Sequence, residues 1–286
     1  MRTTTTTVFG SNLFQLGVFR AEPSRPGEVR ESIALSHLIA LPRRSGLIRR
    51  SGHIDAIAGT DAAVYYNKGC EYQATVLGDG SEETWFIRVD GTALIEVLQR
   101  HDPGAVDRPE APFRLGGGPV AAEHFRHAAE LMACVRRGEL DTLATDESLA
   151  ELVRGVIDHG VTTRPASERA ARRSSADFSF WTQRLLAERF RENLSLADIA
   201  EKIGASPFFL CRAFRFHVGM TMHQYRETLR LRHAVIEMAE TKRPLSMIAM
   251  SLGYSTQSHF TSAFGRHFGT SPGTMRKRLR GPGSEP

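Results

Sequence analysis

The chain is short of the residues that mark several large protein classes. Of its 286 residues only three are cysteine, Cys70, Cys134 and Cys211. An odd number at wide spacing excludes a disulfide framework and predicts a cytoplasmic chain whose thiols are small apolar side chains. No apolar run approaches the roughly 18 residues that a membrane span needs. The opening stretch, MRTTTTTVFGSNLFQLGVF, has one arginine, a threonine run and no continuous apolar segment ahead of a cleavage site, so no secretory leader is expected. Histidine is not clustered in the N-terminal part: His37 and His53 stand alone, without an HxH or HxxxE group. This predicts no metal and no cofactor, and argues against a metal-dependent oxygenase. The glycines 116–118 neither follow a clear strand nor precede a lysine, so they are not a phosphate loop, and no cysteine has an evident His or Asp partner for thiol catalysis.

What is present describes a globular chain, with 41% hydrophobic and 24% charged residues. Its length suits two domains. The net charge of +5 is unevenly spread. Residues 178–286 hold 16 Lys/Arg and 8 Asp/Glu, a balance of +8, against −3 for residues 1–177. A basic C-terminal third suggests a polyanionic partner for that third.

The first hundred residues are rich in β-branched and aromatic residues. Stretches 64–76 and 83–89, bounded by Gly, Asp and Ser, read as strands, as does 33–42 up to Pro42. Short strands at this spacing suggest a small barrel or sandwich. Residues 92–101 read as a short helix. Two amphipathic helices follow: 121–137, with Phe125, Ala128, Leu131, Met132 and Val135 in register, and 147–160, with Leu149, Leu152, Val153, Val156 and Ile157 on one face. Their apolar stripes would pack on the barrel or on another subunit. The four arginines and scattered Ser/Thr of 161–177 mark a linker or an exposed basic helix, and the domain boundary falls there. From Phe178 the pattern is helical throughout, and Trp181, Leu185 and Phe190 of the first helix are available to a core.

The C-terminal part writes one phrase twice, SLADIAEKIGAS at 195–206 and PLSMIAMSLGYS at 244–255, with Ile199 and Ile248 49 residues apart. In the first copy Ser195 stands at an N-cap, Leu196, Ile199, Ala200 and Ile203 share a face, and Gly204 ends the helix. Ser206 caps a second helix with Pro207 at its first position. Phe209, Leu210, Ala213 and Phe214 face inward until Gly219. A short helix, a glycine turn and a second helix make a helix-turn-helix. The second copy runs alike, with Phe260, Ala263 and Phe264 inward. From Leu210/Phe260 onward the spacing is 50, one extra residue having entered after the turn. Residues 223–242 between the copies form one long helix, whose span of roughly 27 Å can hold two recognition helices near the ~34 Å repeat of successive major grooves.

With LADIAEKIGAS, LCRAFRFHVGMT, YRETLRLRHA, SMIAMSLGYSTQSHFTSAFGRHFGTSP and the trailing MRKRL, residues 178–280 resemble the DNA-binding domain of the AraC/XylS family of bacterial transcription regulators. More weakly, residues 30–100 are similar to the cupin-like effector domain that precedes it. The resemblance implies double-stranded DNA and RNA polymerase as partners, usual dimerisation, and often control by a small-molecule effector. Two departures stand out. Thr221-Met222 replaces the family's common Ser-Pro after the first recognition helix, and Ser262 stands where a basic residue is common. The second leaves base readout by that helix weaker, or resting on Thr256, Gln257, Ser258 and Thr261.

The fold expected is α+β with two domains: a cupin-like β-barrel over 1–118 with a helical hairpin over 119–160, a linker over 161–177, and an all-α domain over 178–286 with two helix-turn-helix units joined by a long helix. The function expected is sequence-specific DNA binding by a non-enzymatic, effector-responsive activator acting as a homodimer. The rivals are an effector-independent regulator whose N-terminal half only dimerises, and a cupin-type enzyme with a DNA-binding appendage. The outward positions of the first recognition helix are Phe208, Cys211, Arg212 and Arg215. Arg212 is best placed for a bidentate guanine contact and Phe208 for a thymine methyl. On the second helix Gln257 and Ser258 are base-edge candidates, His259 and Arg266 phosphate candidates, and Thr256 and Ser262 complete the expected DNA-binding set. The basic run 275–280 would track the backbone. An effector would lie among Tyr65, Tyr66, Tyr72, Trp85 and Phe86, about half of them facing inward by strand alternation. Arg43, Arg44, Arg49 and Arg50 would meet an anionic effector or lie on the surface.

Overall fold

A computed structural model describes residues 2–22, 27–50, 55–77, 81–163 and 173–281, with the side chains of 173 and 174 excepted. His53 and most of the expected linker lie outside the described residues. The chain divides into two compact units, one comprising Met1–Thr163 with Met275–Pro286, the other Arg164–Thr274.

Strand formation in the first unit begins at the threonine run, which the sequence reading had not assigned. Threonine is branched at Cβ and suits a pleated surface with one face in water. The run lies in β1 (Arg2–Gly10), paired antiparallel with β2 (Phe14–Glu22) and irregular between Thr7 and Phe9. There follow β3 (Val29–Ile33), β4 (Leu38–Pro42), β5 (Gly46–Arg50), β6 (Ala56–Ala58), β7 (Ala62–Tyr66), β8 (Glu71–Val76) and β9 (Glu82–Val89), then helix α1 (Gly91–Leu98) and the short β10 (Gly117–Pro119).

These strands make two sheets, ordered β1-β2-β9-β4-β7-β10 and β3-β8-β5-β6. Among the described residues no ladder joins the edges of the two, so the expected closed cupin-like barrel is not formed. The reason is visible in the path of the chain, which changes sheet at most connections from β3 to β9. Two stretches that read as single strands are therefore broken. Residues 33–42 cross over between Ile33 and Leu38, and 64–76 cross at a turn where Gly69, at φ 79°, donates its N–H to Ala34 O at 2.7 Å.

Two antiparallel helices, α2 (Ala122–Arg137) and α3 (Thr142–Thr162), cover the larger sheet. α3 starts earlier than its apolar pattern because Asp141 caps it, accepting from Ala144 N at 2.8 Å. Leu149, Leu152, Val153, Val156 and Ile157 are all fully buried within the single chain. Trp85 of β9 stacks on Phe125 of α2, and the Tyr65 hydroxyl donates to Val156 O at 3.2 Å. β10 meets α3 backbone to backbone: a Cβ on Gly118 would stand 2.7 Å from the Gly160 Cα. The apolar stripe of the hairpin is thus taken up by the chain's own sheet, not by a second subunit. No described helix is long and apolar enough to cross a membrane.

The second unit is all helical. Its elements are α4 (Arg173–Arg189), α5 (Leu196–Ile203), α6 (Pro207–Val218), α7 (Met222–Glu240), α8 (Leu245–Ser251) and α9 (Gln257–Phe268), and α10 (Pro272–Arg280) closes the chain. Trp181 is exposed, and the buried face of α4 is formed by Ser179, Thr182, Leu186 and Ala187. The sequence had offered Trp181 to the core, but an alternative register of the same helix puts smaller residues there. Leu196 is likewise exposed, and Phe209 is only partly covered, edge-on to Phe178 at 5.3 Å. From Met275 onward α10 belongs to the first unit, where Arg137 Nη1 donates to Leu279 O at 2.8 Å and Arg278 pairs with Glu130 at 3.3 Å.

Candidate nucleic-acid interface

The two halves of the helical unit are built by the same local rules with different capping chemistry. Ser195 and Asp198 form a capping box at the start of α5, and Gly204 ends it in the left-handed region at φ 73°. Ser206 caps α6 by accepting from Phe209 N, with Pro207 at the first position. In the second copy Pro244 precedes α8 without a side-chain cap, and α9 is capped by Thr256, not Ser255. Ser206 and Thr256 are 50 apart, so the extra residue of the second copy lies in its turn, after Gly253. Thr221 replaces the expected Ser-Pro, and with Gln224 it forms a full capping box for α7. Nineteen residues make α7 about 28 Å long.

The inward faces are closely packed. Ile248, Ala249, Leu252, Phe214, Phe260 and Phe264 have no exposed surface, and Ala200 and Ala213 are 6% exposed. Alanine at 200 and 249 lets the paired helices approach, because a longer side chain there would separate them.

The outward faces carry the residues singled out in sequence. On α6, Phe208, Cys211, Arg212 and Arg215 are all exposed, Phe208 at 86%. On α9, Gln257, Ser258, His259, Ser262 and Arg266 are exposed, as are Thr256 just before the helix and Thr261 within it. Thr256 is also committed to its cap, and His259 lies edge-on to Tyr254 at 5.4 Å. Among the described residues Arg212, Arg215 and Arg266 have no carboxylate partner, so their charge faces solvent. Of the basic run 275–280, Arg278 is paired with Glu130 while Lys277 is exposed. The sequence reading missed Phe216, 51% exposed and on the same stripe as Phe208 and Arg212. Its position eight residues after Phe208 was the available signal.

Two histidines of this unit are held neutral by burial. His217 is shifted below the ordinary range and lies 3.0 Å from Ser175 Oγ. His267, in α9, is pushed down to about 4 by burial and by Arg232.

In the first unit a cavity of about 200 Å³ opens among residues of both sheets, and alternation decides which aromatics reach it. Tyr66, Tyr72 and Phe86 line it. Their strand neighbours Tyr65 and Trp85, also expected as lining residues, point the other way, toward α3 and α2. The arginines expected to meet an anion are elsewhere. Arg43 pairs with Glu83 and stacks over Trp85, Arg50 donates to Tyr65 O and Gly116 O at 2.7 Å each, Arg49 pairs with Asp55, and Arg44 is exposed. The cavity's own arginines, Arg30 and Arg88, were not foreseen. Arg30 reaches both Glu82 oxygens at 3.0 Å and lies between the rings of Phe19 and Tyr72. His37 is satisfied locally, its Nδ1 accepting from Lys68 N at 3.2 Å, and burial keeps its pKa low.

A helix-turn-helix domain family matches residues 199–278. Regulatory protein SoxS of Salmonella typhimurium is 37% identical over 92 residues, which are 32% of this chain and 86% of SoxS. The HTH-type transcriptional activator RhaR of Klebsiella pneumoniae is 35% identical over 95 residues, 33% of this chain and 34% of RhaR. Among solved structures, ToxT of Vibrio cholerae O395 is 14% identical at a TM-score of 0.37, covering 95% of this chain and all of that one.

Proposed function

The chain belongs to the AraC/XylS family of transcription regulators, and from that premise we propose that this DNA-binding regulator reads two successive major grooves with one chain. The observation that carries this reading is the matched exposure of α6 and α9, each presenting polar and basic residues opposite a buried apolar face, Leu210, Ala213 and Phe214 on α6 and Phe260, Ala263 and Phe264 on α9. Arg212 contacts guanine, with Phe208 against a thymine methyl beside it. Cys211 and Arg215 complete the α6 surface. Thr256, Gln257, Ser258 and Ser262 meet base edges from the second helix, and His259 and Arg266 meet phosphates. A duplex selected from random sequence by the purified protein, then footprinted, tests this. Protection of two patches about 10 base pairs apart is expected; one patch alone refutes it.

The N-terminal unit receives a small-molecule effector in the cavity lined by Tyr66, Tyr72 and Phe86, and effector binding controls activation through RNA polymerase. The cavity's mostly apolar wall with a few placed polar groups supports this. RhaR is itself named a transcriptional activator. A homodimer would form through a surface other than the apolar stripe of α2 and α3, since that stripe is already covered.

A further inference from the structure

Near the middle of α7 two arginines are buried among apolar side chains, Arg232 at 3% exposed and Arg230. Arg230 is 7% exposed, and its guanidinium donates to five oxygens. Nε reaches Phe190 O at 2.6 Å. Nη2 reaches Arg191 O at 3.3 Å, Glu192 O at 2.9 Å and Asn193 Oδ1 at 3.0 Å. Nη1 reaches Gly253 O at 3.2 Å. One turn earlier, Arg226 Nη1 donates to Leu194 O at 2.8 Å. Each of residues 190–194, which lead from α4 into the first helix-turn-helix, therefore offers one oxygen to α7. Gly253 lies in the turn of the second helix-turn-helix. The five acceptors on Arg230 are uncharged amide oxygens, so this is no ion pair. Only a planar, five-donor fork can reach them all from one side chain.

We propose that Arg230 is a positioning residue for DNA binding. It ties the approach to the first reading head and the turn of the second to one point on α7, and so sets how α6 and α9 stand to one another. It is too buried to touch DNA itself. The inference rests on the two-groove reading above. Gly253 belongs to the same joint. Its φ is 85°, and a Cβ there would lie 2.6 Å from Arg230 Nη2 and closer still to Arg191 O. Its counterpart Gly204 has a similar φ of 73°, yet a Cβ there meets nothing within 4 Å. The two glycines share a backbone requirement and differ in the joint.

The test uses the full chain, a duplex selected by the wild type from random sequence, and the same duplex with either half scrambled. Fluorescence anisotropy gives the ratio of intact to half-scrambled affinity. Two linked heads raise that ratio to about 100-fold or more when both can engage at once. Arg230→Lys keeps the charge and loses the fork. Its ratio should fall below about 10-fold while its affinity for the half-scrambled duplex stays within about 2-fold of wild type. Gly253→Ala should behave likewise, and Gly204→Ala should keep the wild-type ratio. Equal losses on both probes, leaving the ratio unchanged, overturn the proposal, as does a Gly204→Ala ratio as low as that of Gly253→Ala. A wild-type ratio near one sinks the two-groove reading itself. Where circular dichroism shows that Arg230→Lys has not folded, the glycine pair decides the matter.

Discussion

Acid should weaken the DNA-binding unit chiefly through one side chain, His267. It lies in α9 next to Phe268, whose ring it meets edge-on at 4.6 Å, and among the described residues its Nε2 has no hydrogen-bond partner. Burial first, and then Arg232, hold its folded pKa at about 4, against 6.5 in the unfolded chain. As pH falls the unfolded chain binds the proton first. The stability is therefore present above about pH 6.5 and lost progressively toward pH 4. At about 1.4 kcal/mol per pKa unit the full loss is ~3 kcal/mol, and integration between pH 7 and pH 5 gives about 2 kcal/mol. Urea melts of wild type and His267→Leu at the two pH values measure it. The variant should lose about 2 kcal/mol less than wild type over that interval. His217, also lowered by burial, leaves the variant some residual dependence. Equal pH dependence in the two proteins would refute the assignment. In that case α9 would not keep a neutral imidazole packed beneath its exposed polar face.

Arg212→Ala removes an exposed side chain, so the melting temperature should hold while affinity for the selected duplex falls by about 1–3 kcal/mol with preference relaxed at one base pair, as gel-shift titration against single-base variants will show. Phe214→Ala empties a site with no exposed surface between α6 and Tyr225, and should cost about 3–5 kcal/mol in denaturant melts. Gly118→Ala pushes a methyl against the Gly160 backbone, and should destabilise the first unit by about 1–3 kcal/mol in its own melting transition.

The helical unit was largely legible in the sequence because its rules are local. Ser195, Gly204, Ser206 and Pro207 cap, stop and restart helices through groups within one turn of themselves, and Ile199, Ala200, Leu210 and Phe214 declare their face by spacing alone. The misreadings there, Trp181 and Leu196, are residues at the rim of an amphipathic stripe, where spacing permits either side. The two-sheet unit was legible as a small barrel or sandwich, but not in its strand order. Which sheet a strand joins depends on pairings tens of residues away, so 33–42 and 64–76 could be read as strands but not as crossings.

The sequence by itself determined the duplicated helix-turn-helix, the caps of its first copy and, Phe216 apart, the residues that α6 and α9 turn outward, because a helix fixes its own faces through bonds four residues apart. Tertiary structure alone decided that Tyr66 and Phe86 line the cavity while Tyr65 and Trp85 lie under helices, since alternation supplies two faces and only the packing of the hairpin chooses between them. It alone decided, too, that Arg230 would be buried as a joint: its five oxygens come from two segments that lie about forty residues before it and twenty after, and only the folded chain brings them to one guanidinium.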